Sequence, residues 1–421
     1  MNEGTMRSRR NKIGLASLAR SPMFESLQSR DFRWLWLGSF ANFMAMGMQM
    51  MARGWLVLRL SNDSPLALAL VMIAFSVPMT FVSLIGGALA DRMSRKHIIM
   101  FSQGGNALLT ALLATLDLTG IIRFWHLILI GAFNGSLMAL NMPSRQALIS
   151  DLVAPEKLMN AISLNNSGTN ITRVIGPALA GLLIIYVDTA GVFYLIAASY
   201  IFSLLSVAMI HGARRPAGKS GKKMTREIRE GLKYAMADPV LRGLIITLFM
   251  PVFFGFSFLT LLPAWAREAL DVQSEGLGML MMVMGVGSLI GTLMLAAMGN
   301  FQRRGVWLLI NGLLWGCGLA IFSQATTYAV ALPFLLLIGL LTAVFMSLNM
   351  TLMQIYSAIE MRGRIMSIAM MTFGAMPLSA VPFGAIAEHI GTPNALFLSG
   401  SMLVVFTIVF ALAYPRFRKI D

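Results

Sequence analysis

Charge is what this sequence has least of. Only 12% of its 421 residues are Asp, Glu, Lys or Arg, about half the ~25% of an ordinary soluble domain. Acids are the scarcer sign, 18 against 33 basic residues, which leaves a net +15. Cysteine is almost missing: a lone Cys317 allows no intramolecular disulfide and no cysteine-based metal or iron–sulfur site. The four histidines, His97, His126, His211 and His389, are scattered, so no histidine metal centre is expected either. No G-x-x-x-x-G-K-[ST] occurs, which excludes ATP hydrolysis by a P-loop. A nucleic-acid binder clusters its positive charge on a soluble fold. Here the charges only punctuate long apolar runs, so the basic excess does not point to nucleic acid.

Those runs are the dominant feature. Residues 64–90, 189–213, 243–266, 276–302 and 389–415 carry no charged side chain, and each exceeds the roughly 20 residues that cross a bilayer's hydrocarbon core. Residues 305–359 are charge-free as well; as one helix they would be on the order of 80 Å long, so they must fold back, and the polar stretch 323–327 is the place. The fold class is therefore an all-α polytopic membrane protein. Twelve transmembrane helices are expected near 33–58, 65–90, 97–118, 122–145, 158–187, 190–210, 241–266, 275–299, 306–323, 328–357, 365–389 and 393–414. An even count puts both termini on one side. The basic residues concentrate on that side, with only Arg53, Arg59, Arg123 and Arg267 opposite and Arg173 within a span. The positive-inside rule then makes both termini cytoplasmic.

The longest polar stretch divides the chain into a six-helix half at 1–210, a cytoplasmic linker at 211–240 and a second six-helix half at 241–421. Within the linker, 212–223 reads as flexible and basic and 225–237 as an amphipathic helix on the inner leaflet. The halves resemble each other. Ser83-Leu84-Ile85-Gly86 in span two matches Ser288-Leu289-Ile290-Gly291 in span eight, and Ser136-Leu137 in span four matches Ser347-Leu348 in span ten. Paired six-helix repeats are the architecture of secondary transporters, with a site at the repeat interface.

Polar residues inside spans fall on helical stripes. Asn42, Met46, Gln49 and Arg53 share a face of span one, and Asn134, Met138, Asn141 and Arg145 share one of span four. Asn166, Asn170 and Arg173 do so in span five, and Asn349, Met353 and Tyr356 in span ten. Amides and arginines are costly toward lipid, so these stripes face the interior, either as interhelical hydrogen bonds or as the lining of a substrate cavity. Arg173 has no acid nearby in sequence. It reads either as a lock held by carbonyls and amides or as an anchor for an anion or a substrate oxygen. The 34 Met and 26 Phe supply adaptable walls, although methionine at helical spacing is more often packing.

Three groups of residues carry a family resemblance. The loop after span two, Gly87-x-x-x-Asp91-Arg92-x-Ser94-Arg95-Lys96, resembles the signature of the major facilitator superfamily, with Ser94 in place of the usual second glycine. Arg173-x-x-Gly176-Pro177-x-x-x-Gly181 is similar to the span-five motif of its exporters. Together with Asp31-x-Arg33-Trp34, Ser64-Pro65 and Pro143-x-x-Gln146-x-x-x-x-Asp151, these resemble the branch of siderophore exporters and macrolide efflux pumps.

That resemblance implies a multi-pass protein of the bacterial inner membrane that exports an amphipathic small molecule by alternating access. The alternatives are a lipid or lysolipid flippase and a small-molecule importer of the same fold. It implies no enzymatic activity and no cofactor, with the proton gradient as energy source and membrane lipid and a small-molecule substrate as the only partners of a monomer. Gating would involve Gly87, Asp91, Arg92, Arg95, Lys96, Arg145, Gly176, Pro177, Gly181, Glu360, Arg362 and Arg364. Every acid lies at a span end or in a loop, which leaves Asp91, Asp117 and Glu388 as candidates for proton coupling.

Overall fold

Each apolar run becomes a helix, and the breaks fall at residues suited to them. The computed structural model describes residues 22–90, 93–212, 224–299, 301–374 and 376–420. In the first half, α1 (Arg30–Ser61) starts where the Ser29 hydroxyl accepts from the Phe32 amide and stops at Asn62, which adopts the left-handed conformation. The α2 helix (Pro65–Ala90) begins on a proline, which has no amide to leave unpaired. After α3 (Arg95–Leu118) and α4 (Phe124–Leu152), the fifth and sixth spans form one element, α5 (Leu158–Ala208). It kinks at Asp188, whose φ of 54° is non-helical and whose carboxylate accepts from the next amide at 2.6 Å.

The linker contributes α6 (Met224–Ala237). The second half starts with α7 (Pro239–Met250), a π-helical turn at Pro251–Gly255, and α8 (Ser257–Leu270). Proline at 251 lacks an amide for the α-helical ladder, and the widened turn absorbs the mismatch. Then come α9 (Ser274–Met298), α10 (Arg304–Ser323), α11 (Tyr328–Tyr356), α12 (Arg362–Gly374), α13 (Met376–Ile390) and α14 (Thr392–Ala413).

Nine of the described helical stretches are long and apolar enough to cross a membrane. One of them, Pro155–Ala208, is long enough for two crossings. The polar α1 and the two-part α12–α13 complete twelve. Large apolar side chains such as Phe101, Leu108, Tyr186 and Leu412 point outward and are more than two-thirds exposed, as lipid-facing surface requires.

The two halves are built alike. In the first, α2 packs on α4 while α1 and α3 pack on α5; in the second, α9 packs on α11 and α10 on α14. Glycine makes the matching α2–α4 and α9–α11 contacts possible. A Cβ on Gly135 would overlap the Phe75 carbonyl, and one on Gly339 would overlap that of Met284. These equivalent contacts also correct the sequence alignment of the repeat. With Phe75 matched to Met284 and Gly135 to Gly339, Ser83 falls opposite Thr292 and Ser136 opposite Leu340. The short identities at Ser288 and Ser347 are offset by one and two helical turns, because similar apolar residues recur along every helix here.

The halves meet along two seams, α5 on α9 and α2 on α13. The side of the molecule with the starts of α1 and α7 is called the linker end below, and the opposite side the far end. The linker helix docks on the second half: Arg364 pairs with Glu230 at 2.9 Å, the Tyr234 hydroxyl accepts from the Ala358 amide, and Ala235 is fully buried. Its apolar face is thus divided between protein and surroundings, since Leu232 stays exposed.

Candidate binding cavity

Two chambers lie between the halves. The lower one, toward the linker end, has a volume of about 560 Å³ and is walled by α5, α9, α11 and Phe256. Asn166, Asn170 and Arg173 face it from α5, and Ser288, Thr292 and Thr342 from the other half. Arg173 makes no hydrogen bond or ion pair with any described residue, and the Thr342 hydroxyl has no partner either. The upper chamber, about 250 Å³, lies among α1, α2, α4, α8 and α9. Met46, Met50, Met72, Met79, Met138 and Met281 line it, with Gln49, Arg53 and Thr260 as its polar groups. Phe256 leads to Thr260, and Met281 to Gly285, in four residues, so the two linings adjoin along two helices at an offset of about 6 Å.

Arg53 sits inside α1, where its Nη2 donates to Asn134 Oδ1 at 3.1 Å and its guanidinium lies 5.5 Å from the Phe75 ring centre. Counted with the far-side charges, Arg53 lies within the first span, which continues eight residues past it, to Ser61. Asn134 in turn donates to Asn106 at 2.7 Å. Gln49 touches the upper chamber and is held by Tyr200, which donates to it at 2.9 Å, and by Thr110.

The other amides serve the inside of each half. Asn42 accepts from Gln103 at 2.6 Å, and Asn141 donates to Ser102 at 2.7 Å. Asn349 donates to the Leu244 carbonyl and to Thr247. Asn42, Asn134, Asn141, Asn349 and Met353 are buried and line neither chamber. Tyr356 is half-buried at the end of α11. Helical spacing placed them on inward faces but could not distinguish a neighbouring helix from a cavity. Arg145 is the extreme case: 2% exposed, it donates to Asn141, Ser39 and Ser203 and ties α1, α4 and α5 together without any acid.

Of the gating candidates, Asp91 and Arg92 lie outside the described residues, and Gly87 falls in the last turn of α2. Arg95 pairs with Asp151 at 2.7 Å and bonds the Ala147 carbonyl. Lys96 donates to the carbonyls of Ala208 and Ile210, where the negative end of a helix dipole favours a cation. Glu360 and Arg362 are exposed, while Arg364 holds the linker helix. Gly176 and Pro177 pack on Gly47 of α1, and Gly181 meets Gly278 of α9, so the span-five motif packs α5 closely on α1 within its own half and on α9 across the seam.

The far end is closed by contacts across the halves. Glu388 accepts from the Ser64 hydroxyl and the Leu66 amide, and Arg267 pairs with Asp63 at 3.6 Å while lying over the Trp55 ring. Asp117, with its carboxylate buried, is gripped by Arg59 and Thr189. Hydroxyls at turn spacing, Ser288 and Thr292, and Met50, one turn beyond Met46, are further signals in the sequence for the chamber walls.

The sequence matches the model of the family described as transmembrane secretion effector over residues 21–421. The chain belongs to this family of major facilitator transporters. It is similar to the staphyloferrin A transporter of Staphylococcus aureus, 25% identical over 90% of this chain and 95% of that one. It resembles the multidrug efflux pump Tap of Mycolicibacterium fortuitum, 25% identical over 89% and 93%, and the enterobactin exporter EntS of Shigella flexneri, 27% identical over 70% of each chain. Among solved structures, a nucleoside transporter NupG variant superposes with a TM-score of 0.76 at 12% identity, covering 91% of this chain and all of that one. A bacterial homologue of the lysosomal transporter Spinster, titled as inward-facing and unoccupied, gives 0.71 at 14% identity over 94% and 96%. Those two likenesses concern the fold. The protein is thus a multi-pass membrane transporter of the secretion effector family.

Proposed function

We propose that this transporter is a secondary-active exporter of amphipathic small molecules of the siderophore or drug kind, located in the bacterial inner membrane with both termini in the cytoplasm. The observation that carries the reading is the pair of adjoining chambers at the seam of the halves, one polar around Arg173 and one lined by methionine. The far end is held shut by Glu388 on α2 and Arg267 on Asp63. In this orientation the conformation described here loads from the cytoplasm. Opening the far-end contacts while closing the linker end would release the substrate outside, which is alternating access between two repeats. The relatives are named as siderophore transporters and efflux pumps, which favours export. Proton drive is part of the proposal, with Glu388 and Asp117 as coupling residues at the far end. The test is flux in proteoliposomes with an imposed pH gradient, run against a panel of siderophores and drugs. Gradient-dependent movement of at least one panel member supports the reading. Flux indifferent to the gradient would remove proton drive, and flux only of phospholipid would replace export with flipping.

A further inference from the structure

Two arginines face the chambers, and they are not equivalent. Arg53 is already engaged by the Asn134 amide oxygen and the Phe75 ring. Arg173 lines the larger chamber and is bonded to no described residue. A guanidinium inside a membrane is costly unless something compensates it. Water in the chamber supplies part of that, but nothing fixed supplies a counter-charge: among the described residues, neither chamber has a carboxylate in its lining. The groups around Arg173 are the amides of Asn166 and Asn170 on its own helix face. Across the chamber stands the Thr342 hydroxyl, buried and without a partner. The planar fork of an arginine suits a carboxylate, which it binds through two parallel hydrogen bonds.

The upper chamber is built for the opposite chemistry. Six methionines make a wall that can re-pack around different apolar shapes. It starts one helical turn beyond the lower chamber, about 6 Å away.

We propose that the transported molecule is an anionic amphiphile, with a carboxylate or comparable oxyanion held by Arg173, Asn170 and Thr342 and an apolar or aromatic body in the methionine chamber. The proposal rests on the chambers being the transport site. It goes beyond that reading by fixing the sign of the charge, the residue that selects it and the side on which the body lies.

Three dyes with one fluorophore test it: dansylglycine, an anion; dansylglycinamide, neutral; and dansylcadaverine, a cation. Binding to the full-length protein in nanodiscs of neutral lipid is followed by dansyl fluorescence. Dansylglycine should bind about tenfold tighter than the neutral dye, the scale of a charge-assisted pair, and dansylcadaverine more weakly than either. Arg173→Gln should erase the preference by weakening dansylglycine far more than dansylglycinamide, and Arg173→Lys should keep part of it. Asn170→Leu, which leaves the arginine in place, should lower dansylglycine affinity alone. Met50→Trp should weaken all three dyes alike by filling the upper chamber. Equal binding of the three dyes to the unmodified protein, or an anion preference that survives Arg173→Gln in a protein of unchanged melting temperature, would overturn the proposal. If the anion preference holds but no flux follows a pH gradient, it is the exporter reading that fails and not the site.

Discussion

Glu388, in the last turns of α13, accepts a hydrogen bond from the Leu66 amide at 3.3 Å and another from the Ser64 hydroxyl. The second half thereby places a carboxylate at the N-terminus of α2 in the first, where unpaired amides and the helix dipole favour negative charge. Together with the Arg267–Asp63 pair, this contact holds the far end shut.

Glu388→Gln keeps an acceptor for Ser64 but loses the charge. An anion at a helix N-terminus is worth about 0.3–1 kcal/mol, so the balance between far-end-closed and far-end-open forms should move roughly two- to fivefold toward open. Spin labels at Gly120 and Thr326, one on each half, should show growth of the longer-distance component. An unchanged distance distribution would mean that the α5–α9 and α2–α13 seams alone set the balance.

Arg145 predicts a graded loss of stability. Ser39 and Ser203 also donate to carbonyls of α1, at Leu35 and Gly38, so removing the guanidinium orphans chiefly Asn141 Oδ1. Arg145→Met fills the space with apolar atoms and should cost about 1–3 kcal/mol. Arg145→Ala adds a cavity and should cost more. Thermal unfolding in detergent ranks the two; equal loss would show that packing there contributes little.

Close helix contacts in the repeat make matching demands on both halves. Gly135→Ala and Gly339→Ala each drive a methyl into a carbonyl of the neighbouring helix and should destabilise by at least about 1–3 kcal/mol. Gly104→Ala meets only a Leu204 methyl at 3.2 Å and should be tolerated. Monodisperse yield after purification separates the cases, and a well-behaved Gly135→Ala protein would show that α2 and α4 can separate freely.

Which parts of this could be read from the sequence follows from the physics. Hydrocarbon thickness is a one-dimensional constraint, so the helical stretches and the turn at 323–327 were readable along the chain, while residues 213–223 of the linker lie outside the described residues. Helical periodicity gave the inward stripes. What lies opposite a stripe depends on the neighbouring helix, and there Asn42 and Asn141 found Gln103 and Ser102 rather than a cavity. Arg53 was read on the inward stripe of the first span and also counted with the far-side charges; the helix continues past it and turns the guanidinium to Asn134. Arg173 was recognisable as unsupported by its own helix; that no described residue of another helix bonds it is visible only in three dimensions.

The central claim, that transport requires the halves to part at the far end, is tested most directly by locking them there. A Cβ on Gly384 would sit 3.3 Å from the Leu66 Cα, close enough for a disulfide between Leu66→Cys and Gly384→Cys, with the exposed Cys317 replaced by serine. Flux should fall to background in oxidised proteoliposomes and return when reductant is added. Full flux with the disulfide closed would contradict alternating access between these halves.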